Sequence, residues 1–406
     1  MKFPGWLPTL LGFLSAVGPI STDMYLPAFP AIEATFGGQP GSAQITLATW
    51  FLGLAVGQVT QGSLSDRFGR RGPLVVGIAI YTLASAGCAL APDLATLSAM
   101  RAVAAFGGSA GMVIPRAMVR DMTEGYAAAR LMGRLMLVMG AAPILAPSLG
   151  GIILGAAGWH AIFWIAALYG AVCAALVWWA MPDTLPPERR VSLNPARMAS
   201  RYAAIAQERG FITHVALGGF AMFGMFAYLG GSPDVFITIF HLRPGTYGAL
   251  FGGCAATYIV ASQVSPRLLP RFGPGPLIRI AVRVYLAATA TLMLVAWLRL
   301  GQWWAVWLPI VVAFCSMGFV MPNAVVGAMQ RHPQHAGSAS ALMGTLQFCL
   351  GAVSGLAVGL FNDGTVRPMA ALMLTGALGA VIADIYRPKT ATVPPSPSPQ
   401  KAPQLA

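Results

Sequence analysis

The sequence predicts an all-α membrane protein of twelve transmembrane helices in two six-helix bundles, and three of its features point there. First, 57% of the 406 residues are hydrophobic and only 9% are charged, against roughly 25% charged in a soluble domain whose surface must be wetted. Second, the chain divides into apolar runs long enough to cross a bilayer, which takes roughly 20 residues each. Third, the longest polar interval, 182–210 with Arg189, Arg190, Arg197, Arg201 and Arg209, falls near the middle of the chain.

The spans are expected at about 7–29, 43–64, 73–91, 94–117, 131–156, 160–181, 211–232, 246–265, 276–298, 303–325, 336–360 and 367–386. The first run, from Trp6, is too long for a signal-peptide core and has no A-x-A site, so it stays as a membrane helix. The twelfth is among the shorter ones, with Asp384 expected to fray its end. These runs give an N-terminal bundle over 1–185, a linker over 186–210, a C-terminal bundle over 211–386 and a Pro/Ser-rich tail over 387–406 that cannot bury a core and should be disordered. The 47 glycines fit membrane helices that approach closely.

The net charge of +13 raises nucleic acid as a partner. Distribution excludes it, because the arginines lie in short loops between apolar runs. With the N-terminus in the cytoplasm, fifteen arginines fall in inside loops (Arg67, Arg70, Arg71, Arg120, Arg130, Arg134, the five of the linker, Arg267, Arg271, Arg279 and Arg331) and three, Arg243, Arg299 and Arg367, in outside loops. The positive-inside rule therefore puts both termini in the cytoplasm. The five cysteines lie in apolar stretches without CxxC spacing and read as small buried hydrophobes.

A repeat supports two halves. Arg67-Phe68-Gly69, after span 2, recurs as Arg271-Phe272-Gly273, after span 8, 204 residues later. Parallel six-helix halves hold substrate at their interface near the bilayer midplane.

Ionisable groups inside spans are costly and are functional candidates by default. Arg116 and Arg283 lie near a boundary, where their stems can snorkel. Asp23 and Arg101 both fall about 10 Å below the outer surface at 1.5 Å per residue, so the two are expected to pair. Two readings stay open: a permanent ion pair that orients helices, or a carboxyl that takes up a proton and lets Arg101 go. The string from Gly62 to Arg71 is expected to be a gating loop. In it Gly62 and Gly69 permit turns, Asp66 caps a helix or meets a cation of the facing half, and Arg67, Arg70 and Arg71 bridge to Asp121. Span 5 carries Pro143, Pro147, Gly150 and Gly151, which kink it and permit close contact. Span 11 presents Gly337, Ser338, Ala339, Ser340, Gly344 and Gly351, and span 7 offers aromatic and methionine residues, among them Phe226 and Tyr228, as cavity lining.

Together these strings resemble the major facilitator superfamily, and within it the bicyclomycin-resistance (Bcr/CflA) drug-efflux branch. The resemblance covers about residues 10–386. It rests on Asp23-Met24-Tyr25-Leu26-Pro27 with Pro30, the Gly62–Arg71 signature, Arg101, Arg116 with Arg120-Asp121, Pro147 with Gly150-Gly151, the Asp183–Arg190 exit from span 6 and the Gly337–Gly344 stretch. It implies proton-coupled antiport by rocking of two halves, powered by the proton gradient without a cofactor, in a monomer of the bacterial inner membrane. Asp23, Arg101 and the neighbouring Thr22 and Tyr25 inherit coupling and cavity roles, and Pro143, Pro147, Gly150 and Gly151 the motif associated with export. The sequence departs from the pattern at Ala104, where relatives often have Gln, at Ser15, where some have a second carboxylate, and at Pro270, which replaces the aspartate in the second copy of the signature. An exporter or proton symporter of a metabolite such as an amino acid would share the fold. A membrane enzyme would need clustered catalytic groups, and the five histidines are scattered, with only His332 and His335 close. No nucleotide-binding loop is recognisable.

Overall fold

The computed structural model describes residues 6–122, 125–190, 195–299, 301–329 and 336–388, with the side chains of 120, 123–140, 189, 191–198, 336 and 337 outside the description. The arginine side chains counted at 120, 130, 134, 189, 197 and 331, both His332 and His335, and the tail from 389 onward therefore lie outside the described residues.

Span 1 is broken. It runs as α1 (Leu7–Ser15), α2 (Val17–Asp23), a 3-10 turn (Leu26–Ala28) and α3 (Phe29–Phe36), which ends on the left-handed Gly37. Proline chemistry sets the breaks, since a proline cannot donate to the carbonyl four residues back. Pro19 leaves Ser15 without that donor, Pro27 leaves Asp23, and Pro30 leaves Leu26. The uninterrupted helix expected over 7–29 is corrected accordingly.

Three helices follow: α4 (Gln44–Phe68), α5 (Arg71–Ala89) and α6 (Leu94–Met122). Asp93 caps the start of α6 by accepting from the Thr96 N–H at 2.7 Å. Spans 5 and 6 are continuous in α7 (Gly125–Ala180) apart from a break at Gly158, whose φ of 76° suits glycine. A linker helix, α8 (Pro195–Gln207), leads to α9 (Arg209–Pro233), whose first N–H groups are capped by the Glu208 carboxylate. A π turn, Asp234–Ile239, extends α9. The second half continues with α10 (Pro244–Phe272), α11 (Pro274–Trp297), α12 (Trp303–Met329), α13 (Ala336–Leu360) and α14 (Arg367–Tyr386).

Among the described residues eight helices are long and apolar enough to cross a membrane, and the one from Ala141 to Ala180 contains two passes. The other three of the twelve passes are the broken span 1 and the two helices α4 and α10. Both α4 and α10 pack against the opposite half, α4 on α13 and α10 on α7, so they present less surface to lipid and carry more polar residues. The outer surface is apolar, with Leu83 at 75% and Trp179 at 81% exposure, while Gln44, Thr46 and Ser109 are fully buried. That inversion of the soluble pattern is what a lipid solvent requires.

Within each half the contacts are dense: α4 and α5 pack on α6, α5 on α7, α9 on α12 and α14, and α11 on α12. The seam between halves is formed by α4 with α13 and α7 with α10. Along α4 it passes from Gly41 beside Gly359 through Phe51 beside Phe348 to Ala55, whose carbonyl accepts from Thr345 Oγ1 at 3.1 Å.

Candidate functional site

Asp23 and Arg101 are both buried, at 6% and 2% exposure, but among the described ion pairs none joins them. The expected pairing is corrected by what Arg101 does instead. Its Nη1 donates to the Ser21 carbonyl at 2.9 Å, near the end of α2, where a cation complements the helix dipole. Its guanidinium carbon stands 4.0 Å from the Tyr25 ring centre and 4.2 Å from that of Trp50. Two aromatic faces and a carbonyl thus supply the negative potential that a carboxylate was expected to give. Nε and Nη2 of Arg101 have no hydrogen-bond partner among the described residues. A cavity of about 10 Å³ lies beside them, bordered by Ser21, Tyr25, Ser85 and Cys88, enough for about one water.

Asp23, the last residue of α2, lies within electrostatic reach of Tyr247 on α10, across the seam. Thr22 bonds back to the Gly18 carbonyl at 2.9 Å, and the Tyr25 hydroxyl meets Thr46 Oγ1 at 3.2 Å. Arg283 is exposed and Arg116 half-buried, as snorkelling positions should be.

The span 7 candidates part company. Phe226 stacks on Phe51 of α4, with ring centres 4.0 Å apart, and on Phe348 of α13 at 6.3 Å, so it sits at the seam. Tyr228 packs between Phe251 of α10 and Phe314 of α12, with Tyr247 within electrostatic reach.

The expected gating loop is shorter than its signature. Helix α4 continues through Gly62, Asp66 and Arg67 to Phe68, so Gly62 makes no turn. Gly69 does, with φ 89°, and a Cβ there would overlap the Asp183 carboxylate. Arg70 is the hub. Its Nε and Nη2 donate to Asp121 at 2.7 and 3.3 Å, Nη1 to Asp66 and to Ser65 Oγ, and its backbone N–H to Asp183 Oδ1 at 2.8 Å. Thr184 adds a bond to Asp121 at 3.2 Å, and Arg190 an ion pair to Asp183 at 3.1 Å. The expected cross-half partner for Asp66 is replaced by Arg70 of the same half. Of the three arginines only Arg70 reaches Asp121; Arg67 covers Phe68, and Arg71 bonds the Trp178 carbonyl. Asp183 as a tie between α5 and the end of α7 was not singled out from the sequence, although it stands inside the quoted Asp183–Arg190 string.

The repeat is structural as well as textual. Gly273 repeats the backbone of Gly69, at φ 71°, and Arg271 covers Phe272 as Arg67 covers Phe68. With no aspartate in its second copy, this end is tied by Asp384, which pairs with Arg387 at 2.7 Å. Arg387 in turn donates to the Gly275 carbonyl at 3.3 Å. Asp384 is therefore a fastening at the end of α14, which corrects the expected fraying.

Helix α7 meets both halves through its small residues. A Cβ at Gly150 would overlap the Met24 carbonyl oxygen, and one at Gly151 would stand 2.9 Å from that of Pro244. Pro143 and Pro147 lie inside the helix without ending it, and Gly248 of α10 packs on Pro147 and Ser148.

These paired halves agree with a direct comparison: the model of the Major Facilitator Superfamily matches residues 11–356. The chain belongs to the major facilitator superfamily. It is a multi-pass membrane transporter. It is 34% identical over 378 residues to the MFS-type transporter YdgK of Bacillus subtilis, covering 92% of this chain and 94% of that one. It is 32% identical over 365 residues to the bicyclomycin resistance protein homolog of Haemophilus influenzae, covering 88% and 90%. Among solved structures, a D-xylose-proton symporter superposes with a TM-score of 0.74 at 14% identity, covering 94% of this chain and 96% of the other. At that identity the likeness is one of fold.

Two buried carboxylates escaped the sequence reading, Glu33 at 7% exposure and Asp234. Asp234 follows directly on Pro233, two residues beyond the predicted end of span 7, and is only 8% exposed.

Proposed function

We propose that this transporter is a proton-coupled antiporter that exports small drug-like molecules, of the bicyclomycin, phenicol or sulfonamide type, across the bacterial inner membrane by alternating access. The observation that carries the coupling is Asp23: a buried carboxyl at a helix break, beside the seam, with no ion-pair partner among the described residues. A carboxylate in that position is neutralised most cheaply by a proton. Arg101, capping α2 two residues away, transmits a change at that break to Trp50 on α4, and Tyr25 and Thr22 move with it. Phe51, Phe226 and Phe348 supply an apolar wall at the seam for the cargo. The names of two relatives support the cargo class, the bicyclomycin resistance protein homolog and the Multidrug resistance protein D of Escherichia coli, the latter 27% identical over 340 residues.

The arginine asymmetry supports cytoplasmic termini, which puts the Arg70 cluster at the cytoplasmic end and the Gly41–Asn362 contact at the periplasmic end. The bundles then occupy 1–185 and 211–386, joined by a cytoplasmic linker over 186–210, in a monomer that uses the proton gradient and no cofactor. Gly150 and Gly151, seated between the halves, serve the export motif.

Vesicles containing wild type or Asp23→Asn provide the test. Addition of bicyclomycin or a phenicol is expected to release protons through the wild type, and the variant is expected to remain folded and release none. Undiminished release through Asp23→Asn would end the role given to Asp23, and a wild type that releases protons with none of the drug panel would end the cargo assignment.

A further inference from the structure

At the end of the molecule opposite the Arg70 cluster, a second polar cluster bridges the halves. Asp234 Oδ2 accepts from Gln44 Nε2, at 2.8 Å, and from Asn362 Nδ2, at 2.8 Å. Gln44 belongs to α4 of the first half and also donates to the Gly230 carbonyl at 3.1 Å. Asn362 lies just beyond α13 of the second. Two further buried atoms of these same side chains, Asp234 Oδ1 and Gln44 Oε1, have no hydrogen-bond partner among the described residues. Both are acceptors when Asp234 is ionised, so what the cluster lacks is a donor.

The titratable groups facing Asp234 are few. From α3 comes Glu33, whose Oε1 is held by the Gly41 and Ala43 N–H groups at 2.9 and 3.0 Å and which acts electrostatically on Asp234. From α10 comes Tyr247, whose hydroxyl is engaged with Ser232 at 2.9 Å. Beyond Asn362, Asp363 turns away to Thr365. No described ion pair reaches Asp234.

We propose that Asp234 is a second proton-binding carboxyl, and that its protonation closes the periplasmic side of the transporter. The proposal rests on the proton-coupled reading and the orientation given above. A proton placed on Oδ1 leaves both amide bonds to Oδ2 intact and supplies the missing donor. An ionised Asp234 in the closed state is a charge sealed from water without a cation, whereas separating Gln44 from Asp234 hydrates it. The proton comes from periplasmic water when that side is open and returns there when it reopens. Asp234 therefore controls the gate without adding to the protons moved per cycle.

Spin labels at Gln39 and Asp363, both exposed on opposite sides of this contact, report the gap in a background with the five cysteines replaced. Pulsed electron–electron distances are recorded in lipid nanodiscs between pH 5.5 and 8.5. In the wild type the open-to-closed ratio is expected to rise with pH, by at most about tenfold per unit for one linked proton. Asp234→Asn is expected to stay closed across the range. A variant that follows the wild-type pH curve would overturn the proposal. Should that variant not reach the membrane, Asn362→Asp puts a second carboxylate in place of a donor and is expected to enlarge the open population at pH 8.5; an unchanged population would likewise overturn it. Asp23→Asn separates the two readings. Under this proposal it keeps the gate's pH response, so retained proton release in Asp23→Asn vesicles counts against the coupling role of Asp23 alone.

Discussion

Replacing Asp121 with asparagine is expected to destabilise the first half more than the same change at Asp66, although both carboxylates bind one guanidinium. The Arg70 side chain is 7% exposed; its partners are 17% exposed for Asp121 and 54% for Asp66. Solvent screens the second pair, and exposed pairs contribute about 0–1 kcal/mol. Asp121 takes two bonds from Arg70 and one from Thr184 in partly buried surroundings, where hydrogen bonds to charged groups contribute about 1.5–3 kcal/mol. Asparagine keeps one acceptor, so the expected loss is about 2 kcal/mol at position 121 and under about 1 kcal/mol at 66. In a domain of this size each kcal/mol moves the melting temperature by about 2–4 °C. Melting of the purified protein in detergent, followed by tryptophan fluorescence, should fall by about 4–8 °C for Asp121→Asn and under about 4 °C for Asp66→Asn. An equal or larger drop for Asp66→Asn would refute the reasoning from burial.

Two further substitutions test the packing around the break in span 1. Arg101→Lys keeps the charge but loses the planar stack between Tyr25 and Trp50, so a loss of about 1–3 kcal/mol is expected in the same melt; an unchanged melt would mean that charge alone matters there. Gly150→Ala drives a Cβ into the Met24 carbonyl and should cost about 1–3 kcal/mol as overpacking. Gly155→Ala, five residues on with nothing within 4 Å of its Cβ, should be neutral or slightly stabilising. Equal effects of the two alanines would sink the close-contact account.

The positions of the passes were legible because hydropathy and length are local properties. Span 12 was expected at 367–386 and α14 is Arg367–Tyr386; span 11 was expected at 336–360 and α13 is Ala336–Leu360. The breaks in span 1 were less so, although Pro19, Pro27 and Pro30 announce them, because a run of hydrophobic residues hides the carbonyls those prolines leave without donors. Depth along a helix placed Asp23 and Arg101 at one level but gave no rotation about the axis. Tyr25 comes from the break in span 1 and Trp50 from α4, and their approach to Arg101 is a tertiary fact. The same missing angle left open that Phe226 meets the seam while Tyr228, two residues on, packs among Phe251 and Phe314. Asp234 escaped because it stands just past the predicted end of an apolar run, where a π turn carries it on to Gln44 and Asn362.

The low apolar content of α4 and α10 bears on how the chain enters the membrane. Each is the second pass of its half, and α4 hides the polar Gln44 against the other half. Neither is expected to partition into lipid readily as it leaves the ribosome, when α13 does not yet exist to cover α4. The neighbours of α4 must hold it in place until the opposite half is made, whereas α10 finds α7 already there. The seam that lets the halves move thus also makes the second pass of the first half a step at which assembly of the newly made protein is easily lost.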